Sequence, residues 1–142
     1  MGVTSRGLLV ATFLLVMATS VRADGNLAAN GVDLPDLKID TTKLAFSQTE
    51  YDLQTGKYYR LNVTVDDGAD NLSIVMPELL RNAWLEKVTI DNVQVHAPSV
   101  DSIELDGAAT FQLTFVPIRP GEYDFWAPGY DKRGLKGKFV VK

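Results

Sequence analysis

Hydrophobic and polar residues alternate along much of the chain, with the period of a half-buried β-strand. The cleanest case is residues 58–65, where Tyr59, Leu61, Val63 and Val65 lie on one side and Arg60, Asn62 and Thr64 on the other. Near the C-terminus Tyr123, Phe125 and Ala127 alternate in the same way with Glu122, Asp124 and Trp126. Residues 37–47, 51–54, 72–76, 100–105, 110–116 and 136–142 are further strand candidates, the first of them one strand or two. Residues 87–95 predict a small hairpin, with Val88, Ile90, Val93 and Val95 around an Asp91-Asn92 turn. Turns are marked at Thr55-Gly56-Lys57, Asp106-Gly107 and Pro120-Gly121, and a loop spans residues 66–71. One stretch has helical spacing. In residues 77–86, Pro77 suits the first helical position and Glu78 the positive end, while Leu80, Ala83 and Trp84 share a face. Trp84 is expected to pack there.

About eight short strands, closely spaced turns and at most one short helix predict an all-β, Greek-key β-sandwich. Residues 37–142 are expected to form one domain. Residues 24–36, rich in Gly, Asn and Asp, read as a flexible lead-in. The preceding stretch has the features of a secretory signal peptide. Arg6 is followed by an apolar run over residues 8–18 and by the small-x-small site Val21-Arg22-Ala23. That run is short for a bilayer span, which needs about 20 residues. The mature protein is therefore expected to be secreted, without membrane insertion. With no Cys there is no lipobox, so no lipoprotein anchor.

Cleavage after Ala23 would remove Arg6 and Arg22 and no acidic residue. That leaves 12 basic and 18 acidic side chains, a net charge of −6. Such a domain does not suggest nucleic acid or anionic lipid as a partner. The absence of Cys excludes disulfides and thiolate chemistry, and a lone histidine, His96, makes Cys/His zinc sites and nucleophilic triads implausible. No enzymatic activity is expected. Asp66-Asp67-Gly68-Ala69-Asp70 lacks the later acidic ligand of a calcium loop and reads as a turn.

The last two dozen residues carry more specific information. Pro120, Gly121, Tyr123, Phe125, Gly137 and Val140 or Val141 match the scaffold of the C-terminal hairpin in the cupredoxins, the plastocyanin-like family, which this stretch resembles. Residues 57–65, 70–77 and 109–121 resemble further family segments, so the likeness covers residues 37–142 almost throughout. It implies a cupredoxin-like sandwich in the bacterial periplasm. The family's four copper-ligand positions fall on Asp70, Ala127, Tyr130 and Leu135. Type 1 copper needs two imidazoles and a thiolate with a weak axial thioether, and this chain has no Cys and one His.

Two readings of that corner follow. In the first, Ala127 and Leu135 fill it and Tyr130 covers it. The protein is then an accessory module without a cofactor, and Trp126, Pro128 and Tyr130 form an aromatic contact for a protein partner, with a redox or metal-transport component as the candidate. In the second, Asp70, Tyr130 and Asp131, with Asp66 or Asp67, offer oxygen ligands for iron or another hard cation. Cupredoxin-like proteins of bacterial ferrous-iron uptake give that reading its context. His96 is distant from this corner in sequence and is expected to be a loop residue.

Overall fold

The structure is a computed structural model that describes residues 30–67 and 69–142. The expected signal peptide and residues 24–29 of the lead-in lie outside the described residues. In chain order the strands are β1 (Val32–Asp33), β2 (Leu37–Asp40), β3 (Ala45–Phe46), β4 (Glu50–Leu53), β5 (Tyr59–Val65) and β6 (Leu72–Ile74). The short helix α1 (Pro77–Arg81) follows. Then come β7 (Ala83–Ile90), β8 (Val93–Val95), β9 (Ile103–Leu105), β10 (Ala109–Pro117), β11 (Gly121–Trp126) and β12 (Lys136–Val141). The strongest alternation in the sequence becomes β5, whose odd-numbered residues are all buried.

The expected β-sandwich is present. One layer is a sheet in the order β3-β2-β5-β10-β7-β8, with β1 also on β5. The other contains the three-stranded sheet β11-β12-β4 and the ribbon β6-β9. A bridge between Val75 and Trp126, with both N–H···O bonds at 3.0 Å, ties these two pieces together. Neighbours such as β5 and β10 are far apart in sequence, as Greek-key connections require. Tyr123 stabilises one crossing, because its hydroxyl donates to the carbonyl of Arg119 at 3.0 Å and pins the Pro120-Gly121 turn. Sandwiches use such tyrosine corners to lock the chain between sheets.

The core is joined across the layers by aromatic rings. Phe125 stands 5.4 Å from Phe46 and 4.9 Å from Phe139, and Tyr51 stacks on Phe139 at 5.3 Å. Phe125 lies opposite Gly137 in the β11–β12 register. A Cβ on Gly137 would sit 2.3 Å from the Phe125 ring and 2.8 Å from the carbonyl of Thr49. The glycine is thus the space into which the ring folds.

Two expectations are corrected. The helix stops at Arg81, and residues from Ala83 onward form β7. Ala83, Trp84 and Leu85 pair with Pro117, Val116 and Phe115 of β10, so ladder bonds to a central strand override local helix spacing. Leu79 and Leu80 are the buried helical residues, and Trp84 points outward, 43% exposed. The second correction concerns the lead-in. Val32 and Asp33 pair with Tyr59 and Arg60, and Arg60 holds Asp33 through two hydrogen bonds. The end of the expected flexible segment is therefore an edge strand.

On the outer face, Tyr58 donates its hydroxyl to the carboxylate of Glu86 on β7, reaching across β10. Desolvation, reinforced by that carboxylate, pushes the Tyr58 phenol up to about 12. A phenol with a raised pKa favours folding while it is neutral. That contribution is complete below about pH 10, the ordinary value, and is lost as pH rises through about 12. Thermal melts of wild type should therefore fall more steeply than those of Tyr58→Phe between these limits; parallel curves would exclude the linkage. Gly137→Ala should cost about 1–3 kcal/mol by overpacking against Phe125. Exposed Lys136→Ala should stay within about 0.5 kcal/mol. Equal denaturant midpoints for the two would mean that the ring has room to spare.

Candidate functional site

The loop between β11 and β12 is built by its turn chemistry. In Ala127-Pro128-Gly129-Tyr130, Pro128 sets the first central dihedral and Gly129 supplies φ +82°, the requirements of a type II turn. The Tyr130 N–H closes it on the Ala127 carbonyl at 2.9 Å. A 3-10 turn over Asp131–Arg133 follows, and Gly134 reverses the chain at φ +121°. The Ala127 N–H bonds the Leu135 carbonyl at 3.0 Å, and the Leu135 N–H bonds the Tyr130 carbonyl at 3.2 Å. The loop is fastened at both ends, and Arg133 places its guanidinium 5.3 Å from the centre of the Tyr130 ring.

Beneath this loop, Ala127 and Leu135 are wholly buried and belong to the main core. Asp70 reaches the same corner from the loop after β5. Its carboxylate accepts from the Asn71 side chain at 2.9 Å, and Asn71 turns the chain with φ +51°. Asp70, Tyr130 and Leu135 line one cleft of about 90 Å³ together with Thr41, Leu44, Ala69 and Leu72. This is far below the roughly 300–1,000 Å³ of pockets for larger ligands. A wider, open groove of about 470 Å³ runs along β2 and β3 past Lys38, Lys43 and Thr64.

Three of the four positions that match the family's copper ligands thus meet at one cleft, and Ala127 lies in the core beside them. Ala127 and Leu135 have no donor atom, so these four residues do not fit a type 1 copper ion. The other expected oxygen ligands are not gathered there. Asp131 is exposed and outside the cleft lining, while Asp66 accepts hydrogen bonds from the hydroxyl and the backbone N–H of Thr41. Asp67 is exposed and also absent from that lining. Among the described residues no group of three or more His, Asp or Glu side chains is arranged to hold a metal. His96 is elsewhere, with Nδ1 3.0 Å from the Glu86 carbonyl.

The contact residues also have distinct settings. Pro128 is exposed, Tyr130 is half-buried against the core, and Trp126 is half-buried where β11 meets Val75. Sequence reasoning missed Thr41 and Leu44, which reach the cleft from the β2–β3 turn. No spacing rule links them to Asp70 or Tyr130. It also missed the Arg133–Tyr130 contact, for which three-residue spacing in a 3-10 turn is the only signal.

Known structures share this fold. The auracyanin of the photosynthetic bacterium Roseiflexus castenholzii superposes with a TM-score of 0.54 over 80% of this chain and 98% of its own, at 18% identity. Auracyanin A of Chloroflexus aurantiacus, described as a blue copper protein, gives 0.53 over 80% and 100%, at 16% identity. The copper nitrite reductase of Nitrosomonas europaea gives 0.54 over 68% of this chain and 33% of its own, at 8% identity. No family model and no curated protein matches the sequence. The chain has the cupredoxin fold. Its corner residues Asp70, Ala127, Tyr130 and Leu135 do not supply a type 1 ligand set.

Leu135→Ala should open this corner and cost about 2–5 kcal/mol, the range for truncating a buried leucine. Tyr130→Phe, which keeps the ring under Arg133, should cost less than about 0.5 kcal/mol. Denaturant unfolding checks both values. A tolerated Leu135→Ala would show that the corner is not packed as described.

Proposed function

We propose that this protein is a secreted, periplasmic cupredoxin-like accessory module. It is non-catalytic, carries no copper, and binds a protein partner through the β11–β12 loop end. The observation that carries this reading is the burial of Ala127 and Leu135. Two donor-free side chains complete the core where the fold's copper ligands would converge. The hydrogen-bonded loop above them holds Pro128 and Tyr130 in a fixed arrangement, so little loop entropy is lost on binding. Trp126 flanks this surface as a half-buried aromatic. A partner from a redox or metal-transport system suits the scaffold.

A second reading has one observation in its favour. Asp70 and Tyr130 line the same cleft, which has the dimensions for a small hard cation. In this reading the protein handles iron or copper in uptake or transfer, through oxygen ligands.

Elemental analysis of the protein purified from the periplasm without chelator separates the two. The expected result is no stoichiometric metal and no response to iron or copper titration. One equivalent bound by wild type and lost in Asp70→Ala/Tyr130→Phe would establish the second reading. For the first, Trp126→Ala and Tyr130→Ala should each weaken cross-linking to the partner by ~10-fold or more, as aromatic anchors do. Undiminished cross-linking in both would move the contact away from this loop.

A further inference from the structure

The edges of the sandwich are not equally protected. Natural sheets defend exposed edges with charge, because an unpaired strand offers its N–H and C=O groups to any other strand. Here β1 carries Asp33, held by Arg60. The two-residue edge β3 follows the Asp40–Lys43 ion pair, and β4 carries Glu50 and Asp52, paired with Lys138 and Lys142. The strand β9 carries Glu104 between Asp101 and Asp106. The end strand β8, Val93-Gln94-Val95, has no such defence. Residues 92–100 contain no carboxylate, no lysine and no arginine.

That undefended edge is also apolar. Val93 lies opposite Ile90, and Val95 opposite Val88. Val88 is buried, but Ile90, Val93 and Val95 are 41%, 61% and 42% exposed. The core-facing side of the large sheet therefore runs on as an apolar shelf beyond the cover of the second layer. Gln94, opposite Thr89, points to the other side of the sheet.

We propose that β8 pairs antiparallel with β8 of a second copy, on a two-fold axis through Gln94. In that register Val93 faces Val95 of the second copy, and the two shelves merge into one apolar strip. Gln94 faces Gln94 of the second copy. An amide suits that position because it both donates and accepts, whereas a charged residue would repel its own copy. This self-complementarity favours a second copy over an unrelated strand. The net negative charge of the protein opposes association elsewhere on the surface, and β8 adds nothing to that repulsion. A three-residue strand places the contact among weak interfaces, below about 1,200 Å². The dimer is thus concentration-dependent, and salt strengthens it by screening the net charge.

Sedimentation velocity of the secreted protein over a concentration series tests this. Wild type should shift from monomer to dimer, at lower concentration in high salt. Gln94→Glu and Gln94→Lys should each remain monomeric at concentrations where wild type dimerises, and an equimolar mixture of the two should recover the dimer. Val93→Lys should also be monomeric, and near-UV circular dichroism should show all three variants folded. Wild type that stays monomeric throughout overturns the proposal, as does a dimer that survives all three substitutions. A Glu/Lys mixture that stays monomeric overturns the two-fold register.

Discussion

The contact on which the rest of the structure depends is that of Phe125 with the empty side of Gly137. A ring of this size fits at the centre of a two-layer sandwich only if the strand beneath it gives way. Gly137 supplies the space, since no side chain fits between the ring and the Thr49 carbonyl. Once seated, Phe125 touches Phe46 of the large sheet and Phe139 and Tyr51 of the small one. The two layers are thereby registered against each other. The β11–β12 hairpin, with its loop over residues 127–135, is fixed by the same contact.

The loop end inherits that rigidity. Ala127 follows β11, and Leu135 precedes β12. Both extend the aromatic core by one layer. Here backbone hydrogen bonds and apolar packing supply the restraint. The type II turn, the 3-10 turn and the Arg133–Tyr130 contact are local devices that need no metal to form. A preorganised surface over a filled corner is the physical content of the binding-module reading.

Charge is distributed with a similar division of labour. Ion pairs line the edges at β1, β3 and β4, where exposed pairs add little stability but discourage strand addition. The large sheet carries its polar contacts on the outer face, where Tyr58 and Glu86 meet across β10. The uncharged end at β8 departs from this pattern.

Much of this was legible in the sequence. The alternation at residues 58–65 and 122–127 and the turn residues specified a β-sandwich, to which the hairpin's resemblance to the cupredoxins added the family scaffold. Each is a local signal, set by side-chain period or by the dihedral demands of Pro and Gly. The absence of Cys likewise excludes a thiolate copper site from the sequence alone. Local signals failed where long-range pairing decided the outcome. Residues 83–86 have acceptable helical spacing, yet the ladder to β10 draws them into β7 and turns Trp84 outward. Val32 and Asp33 look like flexible lead-in until Tyr59 and Arg60 provide partners. Only the tertiary structure brought Thr41 and Leu44 beside Asp70 and Tyr130, and only it identified β8 as an edge. Such neighbours are set by how the sheets close over the Phe125 ring, a constraint that no single stretch of sequence contains.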